Sequence, residues 1–266
     1  MKKKITLIQI LFLCIFIGSG IYLAKFHYDK VQTEKEMSSL REVVKESGRE
    51  TAQPEIVEID DDREEEVPER AENGMLAKYH TLYQQNNDMV GWIKIAGTAI
   101  DYPVVYNSNN NVYYLHRNFN KKKSAGGVPF MDYQCNLSDW SDNIIIYAHN
   151  MKNGTMFHDL LKYSSMAFWE NHKEILFDTL YFKCKYEIFA VFRTSVGASD
   201  EFKYYEFINA ESPREFDEFI AQCKANSLYD TKITPQYGET LLTLSTCSYN
   251  ANNERFAVVA RMTGKE

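Results

Sequence analysis

Toward the C-terminal end of the chain stands Thr243-Leu244-Ser245-Thr246-Cys247-Ser248-Tyr249-Asn250, a cysteine closing a run of apolar and hydroxyl side chains. A thiol at the end of a strand is held where it can attack a carbonyl. With a pKa of ~8.5, however, a free thiol is only a few per cent thiolate at neutral pH, so it needs a base or a positive charge beside it. Of the six histidines, His149 is the one that ends an apolar strand-like run, 143–148, and opens a polar loop, 150–155. A histidine there serves either as a satisfied structural group or as a proton carrier. His27 lies beside an apolar N-terminal segment, His80 on a helical stretch, His116 and His172 in polar surroundings, and His158 at the start of a helical stretch. Acyl chemistry at a thiol also needs a donor for the oxyanion of the tetrahedral intermediate. Arg255, eight residues after Cys247, begins the apolar run 256–260. A tight return through 248–254 between antiparallel neighbours brings it back beside Cys247. A planar cation there can hold an oxyanion, although a charge at a strand mouth also suits plain solvation.

These three residues need a rigid frame. The composition turns dense in Tyr, Phe, Trp and β-branched residues from about Gly74, where a core can form. Met75, Leu76, Tyr79, Leu82 and Tyr83 make one helical face, which Asn86-Asn87-Asp88 ends before strand-like alternation begins at Gly91. Further strands are expected at 100–105, 128–131, 143–148, 174–178, 184–196, 240–246 and 255–262. Eight short strands joined by turns and a few helices suit a closed barrel, which leaves no edge to guard. One helix interrupts the late strands: Ser212-Pro213-Arg214-Glu215 is a capping box with proline at the first helical position. Phe216, Phe219, Ile220 and Cys223 then share a face, so Cys223 reads as a core residue. Cys184 opens a strand whose alternate members suggest the same role, and Cys135 lies in a polar loop.

The chain has 266 residues, enough for one sizeable core. Its start is not part of that core. Met1-Lys2-Lys3-Lys4 precedes residues 5–24, twenty residues without a charge, which matches the ~20 needed to span a hydrocarbon core. The lysines favour the cytoplasmic side, so the bulk of the chain is expected outside the cytoplasm. A cleaved signal peptide is the alternative, with small residues at Gly18-Ser19-Gly20, but the apolar stretch runs past them. The net charge of −7 is largely local, since 54–70 holds nine acidic residues against two arginines. Such a run repels itself and reads as a solvated stalk. The expected division is a cytoplasmic tip at 1–4, an anchor at 5–24, an acidic stalk at 25–73 and a catalytic domain at 74–266. No basic stripe with interleaved aromatics suggests nucleic acid. The five cysteines show no close-spaced even pattern, so a disulfide framework is not expected.

The pattern T-L-S-T-C at 243–247 resembles the nucleophile motif of the sortases, membrane-anchored cysteine transpeptidases of Gram-positive bacteria. Similarity to class B of that family extends over about 74–266. It is carried by N-N-D-M-V-G-W-I at 86–93, D-Y-P-V-V at 101–105, F-M-D-Y at 130–133, N-I-I-I-Y-A-H-N-M at 143–151 and G-T-M-F at 154–157. The resemblance implies an eight-stranded barrel with N-terminal helices and an added helix between the sixth and seventh strands. It implies Cys247, His149 and Arg255 as the catalytic set, and Asn111, Leu115, Tyr205 and Ser245 as substrate-binding residues, with no cofactor or metal. The implied reaction cleaves a sorting signal of N-P-Q-T-N or x-P-x-T-G type after threonine, through a thioester, and passes the cargo to a peptidoglycan amine. One departure is Ala148, where the class commonly has glycine before the histidine. Three other readings compete. A papain-like hydrolase places its cysteine far before its histidine, the reverse of the order here. An L,D-transpeptidase wants arginine directly after a glycine-rich cysteine motif, whereas Ser248-Tyr249 follow Cys247. A tethered β-domain that only binds would leave Cys247 unreactive.

Overall fold

The computed structural model describes residues 7–50, 69–195, 197, 202–247 and 254–266, and for Cys247 it describes the backbone. Eight strands form: β1 (Met89–Lys94), β2 (Asp101–Tyr106), β3 (Phe130–Met131), β4 (Asn143–Tyr147), β5 (Glu174–Thr179), β6 (Cys184–Ser195), β7 (Leu241–Cys247) and β8 (Glu254–Lys265). They close into a barrel in the order β1-β2-β3-β4-β7-β8-β6-β5, with β5 returning to β1. The eight expected strands and the closed barrel are thus observed, with ends shifted by a few residues.

Two of the pairings are parallel, β2 with β3 and β4 with β7. Parallel neighbours cannot be joined by a hairpin, and a strand buried on both faces reads as a continuous apolar run instead of alternating. Ile144-Ile145-Ile146 on β4 and Leu241-Leu242 with Leu244 on β7 have this character, all fully buried. The hydroxyl of Thr243 is the polar exception, and it donates to Asn143 Oδ1 at 2.8 Å.

Four α-helices accompany the barrel: α1 (Leu7–Glu50), α2 (Ala77–Gln85), α3 (Met166–Asn171) and α4 (Pro213–Asn226). The capped helix lies between β6 and β7, as expected. The Ser212 hydroxyl accepts from the Glu215 N–H at 3.3 Å, while the Glu215 carboxylate reaches one residue further back, to the Glu211 N–H at 2.8 Å. The apolar face of α4 seals Phe216, Phe219, Ile220 and Cys223 against Phe189, Phe192 and Val259 in a second hydrophobic cluster.

The longest helix, α1, spans 44 residues, about 66 Å at 1.5 Å per residue. Its first half carries an apolar stretch long enough to cross a membrane, with side chains outside the fold. Its second half docks on the barrel, where Met37 and Leu40 enter the main core. The acidic run at 54–70 lies, through residue 68, outside the described residues.

The connection from β2 to β3 is long but tied down. The Tyr114 hydroxyl donates to Asp88 Oδ2 at 2.6 Å, and Asn86 Nδ2 donates to the Phe119 carbonyl at 2.8 Å. Gly127, at φ +59°, lets this connection fold tightly. A Cβ there would stand 2.6 Å from the carbonyl oxygens of both Tyr114 and Leu115.

Candidate active site

Strand directions bring the candidate residues to one end of the barrel. Because β4 and β7 run parallel, their C-terminal ends emerge at the same rim, with Tyr147 opposite Ser245. The pairing continues past the strand, since Ala148 N–H donates to the Ser245 carbonyl at 3.2 Å and the Thr246 hydroxyl to the Ala148 carbonyl at 2.7 Å. His149 follows at once. β8 runs antiparallel to β7, so it starts where β7 ends, with Arg255 directly opposite Cys247 in the backbone register. The Cys247 side chain and the return through 248–253 lie outside the described residues. Ala148 is buried with an ordinary negative φ, so an alanine fits before the histidine without backbone strain.

The His149 ring is half-buried, and its Nε2 lies 2.8 Å from the Leu115 carbonyl oxygen. A carbonyl can only accept, so this contact requires the hydrogen on Nε2 and leaves Nδ1 as the nitrogen that changes protonation. Burial holds the imidazole below its usual pKa of 6.5 because it disfavours the cation; the Leu115 bond pulls the other way, and His116 adds to the lowering. The His116 ring is 5.6 Å from that of His149. The long β2–β3 connection therefore supplies both the carbonyl that orients the catalytic candidate and the neighbour that discourages its charge.

A cleft of about 260 Å³ opens at this rim, and His149, Arg255, Ser245, Asn111 and Leu115 are on its walls. Five of the seven residues singled out from the sequence thus line one cleft. Tyr205 does not line it: its ring packs edge-on against Tyr204 at 5.5 Å, and the Tyr204 hydroxyl lies 2.5 Å from Ser245 Oγ. Sequence reasoning passed over Phe130 and Tyr147, whose rings pack at 5.6 Å and give the cleft an apolar side. Both lie within the family-like runs F-M-D-Y and N-I-I-I-Y, and membership of those runs was the available signal. Larger clefts, of about 490 and 530 Å³ along α1 and about 480 Å³ beside Trp140 and Phe182, contain neither His149 nor Arg255. The smaller cleft is the one that holds His149 and Arg255.

Three other thiols, Cys135, Cys184 and Cys223, are placed for packing. Cys135 is buried where its sulfur accepts from the Ile145 N–H at 3.3 Å and donates to the Asn143 carbonyl at 3.4 Å, partners that its polar loop gave no sign of. Burial pushes its pKa up to about 12, as it does for Cys184. Cys223 is raised by burial as well. None of these thiols ionises readily near neutral pH.

Comparison with known proteins points to one family. A family model of the sortase domain matches residues 93–263. The chain is 30% identical to sortase B of Staphylococcus aureus over 264 residues, covering 98% of both chains. It is 36% identical to sortase B of Listeria monocytogenes over 181 residues, 67% of this chain and 70% of that one. Among solved structures, a Staphylococcus aureus sortase B–substrate complex superposes with a TM-score of 0.74 at 25% identity, covering 89% of this chain and 98% of that one.

Proposed function

Since the chain belongs to the sortase family, as a cysteine transpeptidase of the sortase B type, we propose that Cys247, His149 and Arg255 are its catalytic set. The observation that carries this reading is the strand order at the rim. Parallel β4 and β7 with antiparallel β8 bring the backbones of all three residues to one end of the barrel. In the proposed reaction the Cys247 thiol gives its proton to His149 Nδ1, and the thiolate attacks the threonine carbonyl of a sorting-signal peptide. Arg255 donates to the resulting oxyanion. The tetrahedral intermediate collapses as His149 Nδ1–H protonates the departing amine, which breaks the C–N bond and leaves a thioester on Cys247. An amine of peptidoglycan then attacks the thioester and gives its proton to His149. The C–S bond breaks, and the cargo carries a new amide.

The walls of the cleft suit a peptide. Leu115, Phe130 and Tyr147 offer apolar contact, while Asn111 and Ser245 offer polar groups. Tyr205 contributes by bracing Tyr204 against Ser245. The solved substrate complex of the Staphylococcus aureus relative supports a peptide occupant, with N-P-Q-T-N-like or x-P-x-T-G-like motifs as the candidates. The apolar stretch of α1 serves as a single membrane span with the basic tip in the cytoplasm and residues 74–266, braced by the second half of α1, outside it. The test is to incubate the full chain in detergent with a panel of five-residue motifs and an amine acceptor, following adduct and product by mass. An adduct on Cys247 that the amine discharges is expected. If no motif modifies Cys247, or if His149→Ala and Arg255→Ala keep the full rate, the assignment fails.

A further inference from the structure

Asp132 follows β3 directly and is 2% exposed. Among the described residues no lysine, arginine or histidine forms an ion pair with it. A buried carboxylate without a cation is costly unless hydrogen bonds meet its lone pairs. Here three do. Oδ1 accepts from the Gln134 N–H at 2.9 Å, and Oδ2 accepts from Asn111 Nδ2 at 2.8 Å and from the Tyr147 hydroxyl at 3.0 Å. Asn111 and Tyr147 are both on the wall of the catalytic cleft.

A carboxylate only accepts, so it dictates what its partners present elsewhere. The Asn111 amide is fixed from both ends: Nδ2 donates to Asp132, and Oδ1 accepts from the Tyr133 N–H at 2.8 Å. It cannot flip without setting its oxygen against the carboxylate and its N–H against an N–H. One amide hydrogen remains for the cleft. The Tyr147 phenol, whose pKa burial and the Asp132 charge push up, spends its single proton on Asp132 and offers only lone pairs. The wall therefore carries one donor at Asn111 and one acceptor at Tyr147, the complement of a carboxamide's C=O and N–H.

We propose that Asp132 is a positioning residue for substrate capture, holding Asn111 as donor and Tyr147 as acceptor so that the pair reads a carboxamide of the bound peptide. This rests on the reading of the rim cleft as the peptide site. Asp132→Asn keeps the shape but supplies a group that can donate as well as accept, so both partners lose their fixed roles. The measurement is steady-state transpeptidation by the full chain with a motif that the wild type turns over. Asp132→Asn should raise KM about tenfold and leave kcat within about threefold. The pH–rate profile and the rate of Cys247 alkylation by iodoacetamide should not move, although general damage to the barrel would change both. In a background that carries both Asn111→Ala and Tyr147→Phe the same substitution should change KM less than twofold, because its effect passes through those two side chains. Should Asp132→Asn fail to fold, Asn111→Ala, on a half-exposed position, carries the test alone with the same tenfold rise in KM.

Replacing each Asn and Gln of the peptide by Ala in turn assigns the source. Loss of the Asp132 effect with one of them identifies a side-chain carboxamide, and persistence through all identifies the peptide backbone. An Asp132→Asn effect that persists in full in the Asn111→Ala, Tyr147→Phe background, an unchanged KM in both Asp132→Asn and Asn111→Ala, or a fall confined to kcat overturns the proposal alone. A wild-type chain that turns over no peptide overturns the reading of the cleft, and this proposal with it.

Discussion

The same two strands, β7 and β8, build both the cluster beneath α4 and the rim with the candidate site, and the two regions obey different rules. Along the face beneath α4 Leu241, Ala257 and Val259 are fully buried in one cluster with Phe216, Phe219 and Cys223. There the thiol has nothing to do but fill space, and burial suppresses its ionisation. At the rim, within a few residues, the strands bring Arg255 and Ser245 to a cleft shared with His149, and the Cys247 backbone lies opposite Arg255. At the rim Asn111 keeps one donor unspent, whereas in the interior Thr243 is matched with Asn143. Strand interiors hold the frame, and strand ends carry capacity for chemistry.

The sharpest test of that contrast sets one cysteine against another. Cys247→Ala should abolish transpeptidation, whereas Cys223→Ala should leave the rate per folded molecule within about twofold while removing some packing. Equal losses in the two variants would erase the distinction between the two regions. His149→Ala should lower kcat by about 10²–10⁴, the range for a proton-transfer group, and Arg255→Ala by about 10²–10³, as for loss of an oxyanion donor. Circular dichroism should show both folded. On the interior side the order reverses: Phe219→Ala should cost about 3–5 kcal/mol in denaturant unfolding, with kcat of the remaining folded enzyme unchanged. A catalytic defect there as large as at His149 would mean that the two regions are not separable.

Gly127→Ala lies between the two classes. Its positive φ and the 2.6 Å approach to the Leu115 carbonyl predict a cost of about 1–3 kcal/mol. Because that carbonyl orients His149, turnover should fall as well, and turnover at full rate would show that the Leu115 contact does not matter.

The smallest expected effect is on pH dependence. Folding lowers the His149 pKa below 6.5, so the unfolded chain binds more protons as pH falls from about 6.5 toward the folded pKa. The contribution is fully present above the unfolded value and is lost on acidification through that window. His149→Asn should flatten this part of the stability profile. A steeper acid loss in the variant would contradict a lowered pKa.

Much of the frame was legible because its signals are local. Alternation, the Ser212-Pro213 cap and the spacing of Phe216, Phe219, Ile220 and Cys223 each depend on a few adjacent residues. Cys247 and His149 stood out because each ends an apolar run, and the match of separated motifs pointed to the family. What stayed hidden depends on partners brought together by folding. Cys135 looked like a loop residue until Ile145 and Asn143 closed over it. His116 looked merely exposed, yet it sits beside His149, because the β2–β3 connection turns back across the rim. Asp132 was visible within F-M-D-Y without a role, since its partners Asn111 and Tyr147 lie 21 and 15 residues away.

The sequence by itself determined the strands and the capped helix, the residue types able to do acyl chemistry and the family they resemble, because periodicity and motif are properties of neighbouring residues, whereas the docking of 25–50, read as stalk, appeared only in the fold. Only the tertiary structure decided which strands lie side by side and in which direction, and hence which side chains share a cleft. The parallel pairing of β4 with β7 joins Asn143 to Thr243 across 100 residues of chain. No local pattern encodes that partner choice, which is settled by the burial of both faces of two apolar strands in one closed barrel.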